Sequence, residues 1–312
     1  RSQWIGYGAG INMYYDINAY NSISSDINFR GRNFPSENRT TIKYKEVLQV
    51  GTGDTANINE IDIYQYDSYL ESTNTTKNIS WNTDFTRNFE DNEDRELSIS
   101  YQLGNRIKDN TSDITSDTSL INTNKENNFE HTLQIDYSHP IFSHILEFGS
   151  KMIIRNQKMD YKTDSDIDEI VFPNEIFNYT QRVNAYYIST NIQLENDYSI
   201  LAGTRYELTN INGNWEKNNE KSFTPKEYGN LLPNLTISKK LGAGKNIKLS
   251  YNSRISRPNS SYINTNTNIS DRKNITIGNP NLTPATTKQV EFGYNNFGRK
   301  YQGSYYLYFK QN

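Results

Sequence analysis

Two stretches of the sequence carry charged side chains at alternating positions, where they would share one face of an extended chain. ILEFGSKMIIR contains Lys151 and Arg155, and SILAGTRYELT contains Arg205 and Glu207. Ammonium, guanidinium and carboxylate groups arranged in this way can hold the charged part of a solute, or they can pair with one another. We take these four residues as candidate solute-binding residues, with purely structural ion pairs as the alternative.

A second pattern, DSDIDEIVFPNE, has the carboxylate spacing of a calcium-binding loop. Asp164, Asp166, Asp168 and Glu175 occupy its first, third, fifth and twelfth positions. Glu169 stands where the sharp turn of such a loop requires glycine, and no helical pattern flanks it. These mismatches favour a solvated acidic loop, so we predict no metal site and keep calcium at these four carboxylates as the open alternative.

Composition and motifs limit the remaining chemistry. The chain has no Cys, which excludes disulfides, thiolate catalysis and Cys-ligated zinc, and its net charge of -3 gives no basic field for nucleic acid. GAGK at residues 242–245 lacks the earlier glycine of a phosphate-binding loop, so we predict a turn there. Because no nucleophile motif or acid and base pair is visible, we predict that the chain is not an enzyme and needs no cofactor.

The elements that must position the four charged residues are strands. Along SILAGTRYELT, Tyr206 and Leu208 fall on one face while Arg205 and Glu207 fall on the other, and the same alternation recurs in segments of 10 to 20 residues. Only 34% of residues are hydrophobic, yet 24 are Tyr. Amphipathic rings of this kind suit a boundary between apolar and aqueous surroundings.

The connections between these strands fall into two classes. Short polar turns are predicted near residues 18–21, 90–94, 138–143, 195–198, 242–246 and 296–300. Longer loops rich in Asn, Asp, Ser and Thr are predicted at residues 33–73, 117–121, 163–175, 216–227 and 258–285. Short turns at one end and long loops at the other are typical of outer-membrane barrels.

The fold predicted from these patterns is all-β: an antiparallel up-and-down transmembrane β-barrel to which this chain contributes about 12 strands. Several strands exceed the roughly 9 to 11 residues that cross a bilayer, so they would project beyond it. Apolar faces would meet lipid and charged faces would line the lumen. A propeller with blades of about 50 residues and a soluble β-sandwich or binding module are the alternatives.

Four motifs in the last third of the chain resemble a known family. They are Gly203-Arg205-Glu207, Leu231-Pro233, Arg254-Arg257-Pro258 and Gly278-Asn279-Pro280-Leu282-Pro284, in that order. Together they resemble the C-terminal barrel of TonB-dependent receptors of the Bacteroidetes type, in the outer membrane protein β-barrel family. The resemblance covers the last third well, whereas the first two thirds match in strand and turn rhythm.

The resemblance implies a bacterial outer-membrane barrel of about 22 strands, filled by a plug domain. We therefore expect residues 1–312 to be one partial barrel domain that starts inside a larger protein, after any signal peptide, with the plug and the terminal strands outside it. The implied partners are outer-membrane lipid, the plug and a TonB-type energy-transducing protein, with a surface lipoprotein as a further candidate.

The function implied is import of a scarce solute, such as a siderophore, an oligosaccharide or a peptide. Lys151, Arg155, Arg205 and Glu207 would then contact the solute or the plug from the lumen wall. The alternative function is a structural or adhesive barrel subunit of a cell-surface assembly, without active transport.

Overall fold

The architecture is given by a computed structural model, which describes residues 3–50, 57–116, 119–142, 144–166, 174–216, 223, 225–242, 244–265, 268–271, 274–298 and 301–312. The elements, in chain order, are β1 (Ile5–Asn18), β2 (Asn21–Val50), β3 (Asn57–Phe89), β4 (Asn92–Thr115), β5 (Ser119–Ile141), β6 (His144–Ser165), β7 (Glu175–Gln193), β8 (Tyr198–Glu216), β9 (Lys226–Lys240), β10 (Lys245–Ser256), α1 (Ser260–Ile263), β11 (Asn268–Asp271), β12 (Asn274–Thr276), β13 (Ala285–Phe297) and β14 (Gln302–Gln311).

Twelve of these strands form one antiparallel sheet in the order β1 to β10, then β13 and β14. Every strand pairs with its neighbour in sequence, except that β10 pairs with β13 across the small β11–β12 hairpin. The predicted up-and-down arrangement of about 12 strands is confirmed. Among the described residues, no helix is long and apolar enough to cross a membrane.

The six short turns all lie where they were predicted. Five of them join consecutive strands from β1 to β10, and the sixth joins β13 to β14. In the turn between β9 and β10, Gly242 and Gly244 have φ angles of 101° and 75°. Residues with a side chain rarely adopt this left-handed backbone conformation, whereas glycine adopts it readily. The turn therefore explains the glycines of GAGK without any phosphate-binding role.

The long loop predicted at residues 33–73 is wrong. Strand β2 continues to Val50, β3 begins at Asn57, and the two pair from Asn33 opposite Thr75 up to Val50 opposite Asn57. The segment is polar, but it is rich in Thr, Ile and Tyr, which favour extended structure. Polar residues predominate in this segment, so the alternation of apolar and polar residues is weak in the sequence.

Apolar side chains on the outer face of the sheet form a band next to the short turns. Tyr206, Leu249 and Phe292 are 43%, 49% and 47% exposed, so no second layer of the described chain covers them. On β8 the band runs over residues 200–208 and gives way to outward Asn210. Nine residues at about 3.3 Å each, tilted by roughly 40°, rise about 23 Å, close to the roughly 25 Å apolar band of outer-membrane barrels. We name this surface the outer apolar band.

The inner face of the sheet is more buried and mostly polar. On β8, Glu207 and Thr209 are buried while their outward neighbours Tyr206 and Leu208 are exposed, as the alternation predicts. The edge strand β1 is exposed along its whole length on both faces. Side chains become buried on the inner face of β6 to β8 because another part of the chain packs there.

Candidate functional site

A buried ion-pair network surrounds Glu207 on the inner face. Arg205 Nε lies 2.5 Å from Glu207 Oε1, and Arg257 Nη2 donates to Glu207 Oε2 and, at 2.8 Å, to Thr209 Oγ1. The guanidinium of Arg205 also lies 5.1 Å from the centre of the Tyr187 ring. With only 9% of the Glu207 side chain exposed, both of its carboxylate oxygens are held by arginine.

A second ion pair lies beside the first, on β5 and β6. Arg155 Nη2 lies 2.6 Å from Glu130 Oε2, and Arg155 Nη1 donates to Gln181 Oε1 at 2.9 Å. Glu130 is the partner of Arg155 in the β5–β6 register, and Gln181 is its partner in the β6–β7 register. Three neighbouring strands therefore contribute one polar group each at the same height.

The two ion pairs line a single cavity of about 580 Å³, which we name the ion-pair cavity. Its described lining includes four arginines and two glutamates: Arg106, Arg155, Arg205, Arg257, Glu130 and Glu207. The cavity therefore carries more positive than negative charge, although its carboxylates are paired. Such a lining can bind a carboxylate or another anionic group through guanidinium donors that the internal pairs leave free.

The segment between β10 and β13 spans residues 257–284, and we name it the inward loop. Its described residues 257–264 and 276–278 fold back over the inner face. Arg257 directly follows β10 and reaches β8, two strands away across β9, a separation of about 10 Å. Pro258, Asn259 and Ser260 then line the ion-pair cavity. The loop therefore forms one wall of the cavity, and the sheet forms the other.

An apolar cluster anchors the inward loop beyond the ion-pair cavity. Ile263 of α1 is 3% exposed and packs with five buried wall residues: Met159, Phe177, Tyr179, Ile211 and Trp215. The rings of Phe177 and Trp215 stack with centroids 4.8 Å apart, and Trp215 Nε1 donates to Asn264 Oδ1 at 3.2 Å. Without the loop, these side chains would face a watery lumen.

Gly278 lets the two halves of the inward loop lie against each other. Its backbone N donates to Asn264 O at 3.0 Å, and Asn279 N donates to Tyr262 O at 2.7 Å. A Cβ on residue 278 would overlap the carbonyl group of Asn264. Further along, Lys226 Nζ donates to Leu282 O at 2.6 Å. The Gly-Asn-Pro-x-Leu motif is therefore the part of the inward loop that leads back toward β13.

Comparison with known proteins identifies the family. Residues 87–312, most of the chain, match the outer membrane protein beta-barrel family. The chain belongs to this family. Its location is the outer membrane. A search among curated proteins finds no match.

Three solved structures share the fold of this family member. The ferric yersiniabactin uptake receptor FyuA from Yersinia pestis has 10% identity and a TM-score of 0.54, over 94% of this chain and 50% of that one. The ferric preacinetobactin receptor BauA from Acinetobacter baumannii has 8% identity and a TM-score of 0.51, over 95% and 51%. The siderophore receptor PiuA from Acinetobacter baumannii has 9% identity and a TM-score of 0.50, over 98% and 56%. The chain spans about half the length of each receptor.

The barrel wall brings together three of the four residues predicted from the sequence. Arg155, Arg205 and Glu207 all line the ion-pair cavity. Lys151 lies on the same face of β6, four residues or about 13 Å closer to the short turns, and does not line the cavity. Their roles in solute binding stay predictions, because ion pairs within a wall have the same appearance.

Arg257, Glu130 and Gln181 complete the cavity and were not predicted as site residues. The partner of Arg155 could have been found by counting back from the turn that joins β5 and β6. Ile141 pairs with His144, so the antiparallel register places Glu130 opposite Arg155. Arg257 was visible only as part of the Arg-Pro motif, because its contact with β8 depends on the path of the inward loop.

Outside the membrane-spanning segments, burial changes the acidity of two tyrosines on the inner face. Burial, with a smaller contribution from Tyr228, raises the pKa of Tyr179 to about 12. Burial also raises the pKa of Tyr161, and hydrogen bonds from Asn264 and Asn124 oppose the effect. Both phenols therefore stay protonated at physiological pH; Tyr161 donates to Met159 Sδ at 3.5 Å, and Tyr179 Oη accepts from Gln181 Nε2 at 3.1 Å.

The calcium candidates are only partly within the described residues, because Asp168 lies outside them. Asp166 Oδ1 accepts a hydrogen bond from Ser119 N at 2.9 Å. Asp164 is exposed on the outer face of β6, whereas Glu175 is buried on the inner face of β7. Among the described residues, no three His, Asp or Glu side chains converge as a metal site.

Proposed function

We propose that the chain is the lumen wall of a TonB-dependent uptake receptor of the Bacteroidetes type, which imports a scarce solute such as a siderophore, an oligosaccharide or a peptide. In this proposal residues 1–312 form one partial barrel domain within a barrel of about 22 strands. A plug domain and the remaining strands lie outside them. The chain has no catalytic role.

The observation that carries the proposal is the ion-pair cavity between the inward loop and the wall. A barrel that served only as a scaffold needs paired charges but no cavity, whereas a receptor needs convergent donors around a space of ligand size. The cavity of about 580 Å³ falls within the usual range for small ligands. Membership of an outer-membrane barrel family and the fold shared with ferric siderophore receptors support the same function.

In this function Arg155, Arg205 and Arg257 would hold an anionic group of the solute, or of the plug, on the inner face. Glu130 and Glu207 would orient the guanidinium groups by accepting from them. Lys151 lies nearer the short turns, at the depth where a plug would contact the wall. The further partners are the TonB-type protein that drives transport and a surface lipoprotein that delivers the solute.

The test is deletion of the gene in its native host, followed by uptake measurements with radiolabelled ferric siderophores, oligosaccharides and peptides. We expect uptake of one solute class to be lost, to return with the intact gene, and to stop when a protonophore removes the energy source. If uptake of every class is unchanged while attachment of the cells to surfaces falls, the structural or adhesive function is correct instead.

A further inference from the structure

A second cavity, of about 330 Å³, lies between the inward loop and the inner face of β4 to β6. Its walls are rich in amides and hydroxyls, so we name it the amide chamber. The principal polar groups are those of Asn110, Ser112, Asn122, Asn124, Thr163 and Asn264. Of the described residues that line it, Lys162 alone is charged, and Lys162 is exposed on the outward-facing side of β6.

Helix α1 separates the amide chamber from the ion-pair cavity. Ser260, the first residue of α1, lines the ion-pair cavity, whereas Ser261 and Tyr262 line the amide chamber. The two spaces are therefore neighbours with opposite chemistry. One offers excess positive charge, and the other offers neutral donors and acceptors.

Two wall amides in the amide chamber have free hydrogen-bonding capacity. Asn122 Nδ2 and Asn124 Oδ1 are buried and have no hydrogen-bond partner among the described residues. Thr163 Oγ1 donates to Asn122 Oδ1 at 2.9 Å, which fixes that amide and leaves its nitrogen as the donor. The wall thus presents one donor and one acceptor, two residues apart on the same face of β5.

These groups match a neutral, hydroxyl-rich solute. A hydroxyl group both donates and accepts, so vicinal hydroxyls can pair with a fixed amide donor and a neighbouring acceptor. An ionic solute would lose its hydration in the chamber without meeting an opposite charge, and an apolar solute would leave the amides unpaired. Tyr161 in the wall and Tyr262 on α1 add aromatic rings, against which the C–H face of a sugar ring can pack.

We propose that the amide chamber binds a neutral saccharide unit of the imported solute. The assignment rests on the proposed uptake function and narrows its substrate class. The chamber volume suits one or two sugar units, and the adjacent ion-pair cavity could contact an anionic group carried by the same molecule.

Trp215 provides a direct readout, because its indole nitrogen bonds Asn264, which lines the chamber. The receptor would be purified in detergent with Trp4 and Trp81 replaced by Phe, leaving Trp215 as the single tryptophan of the chain, and tryptophan would be excited selectively. Neutral disaccharides and trisaccharides of glucose, galactose, mannose and xylose would be titrated, with trialanine and citrate as contrasting probes. We expect at least one saccharide to change the fluorescence saturably, and trialanine and citrate to leave it unchanged.

The variant Asn122→Ala/Asn124→Ala should weaken saccharide binding about tenfold, since two hydrogen bonds are lost. Asn127→Ala is the matched control, because Asn127 lies on the exposed outer face of the same strand. Tyr262→Ala should also weaken binding, and its side chain is 65% exposed, so this change leaves the fold intact. Unchanged affinity in both chamber variants, or no binding of any saccharide, would overturn the assignment, as would binding of trialanine or citrate that depends on Asn122.

Failure of this inference is distinguishable from failure of the proposed function. Binding is measured on the purified receptor and needs no energy source, whereas uptake is measured in cells. Saccharide binding without any transport defect in the deletion strain would leave the inference standing and remove the uptake function. Energy-dependent uptake of another solute class, unaffected by Asn122→Ala/Asn124→Ala, would leave the uptake function standing and overturn the inference.

Discussion

Arg257, the first residue after β10, crosses β9 to bind Glu207 on β8. This contact joins strands that are not neighbours in the sheet and fixes the point at which the inward loop leaves the wall. Glu207 also binds Arg205, so one carboxylate connects the loop to the polar wall.

Removing this contact should destabilise the barrel. Arg257→Met leaves one oxygen of a nearly buried carboxylate without its donor, which costs about 1–3 kcal/mol in free energy of unfolding. The measurement is urea-induced unfolding in detergent, and Arg254→Met, an exposed position on β10, should have little effect. A double-mutant cycle with Glu207→Gln should show coupling; strict additivity of the two changes would contradict a direct interaction.

Gly278→Ala should release the inward loop. The added methyl group would overlap the Asn264 carbonyl, and relieving such an overlap typically costs about 1–3 kcal/mol. Hydrogen exchange should then accelerate at the amides of residues 278 and 279, which now donate to Asn264 and Tyr262. Gly104→Ala is the control, because a Cβ at residue 104 would meet no atom within 4 Å. Equal protection in both variants would show that the loop tolerates a side chain at Gly278.

Cysteine labelling should report the orientation of β13, and residues 1–312 add no background because they contain no Cys. Phe292→Cys would place a thiol on the outer apolar band, where lipid protects it from a membrane-impermeant maleimide. Glu291→Cys, one residue earlier, would face the inner side and react faster. Reaction in the opposite order would reverse the assignment of the two faces.

Alkaline pH should destabilise the inner face through Tyr179. Its pKa is raised from an ordinary value of about 10 to about 12, so the folded state keeps a proton that the unfolded state releases. The contribution of Tyr179 to the free energy of unfolding is fully present below about pH 10 and declines as the pH rises toward 12. Urea unfolding at a series of pH values should show a weaker decline for Tyr179→Phe, and parallel pH profiles would argue against the raised pKa.

The strands and short turns could be predicted from the sequence because both signals are local. Alternation placed Arg205, Glu207 and Arg155 on one face, and the antiparallel register from the short turns even specifies Glu130 as a partner. The β2–β3 hairpin was missed because polar residues predominate in its sequence and its alternation is weak. Met159, Phe177 and Trp215 depart from the rule that the lumen face is polar, and only the path of the inward loop explains why.

The inward loop enters and leaves the wall through adjacent strands. β10 and β13 are hydrogen-bonded to each other from Lys245 opposite Asn296 to Ser256 opposite Ala285, so their pairing is complete without residues 257–284. The pairing of these two strands therefore does not depend on the length of the segment between them. A longer, shorter or different segment at this position would change the cavities on the inner face, while the ladder of backbone hydrogen bonds between β10 and β13 stays the same.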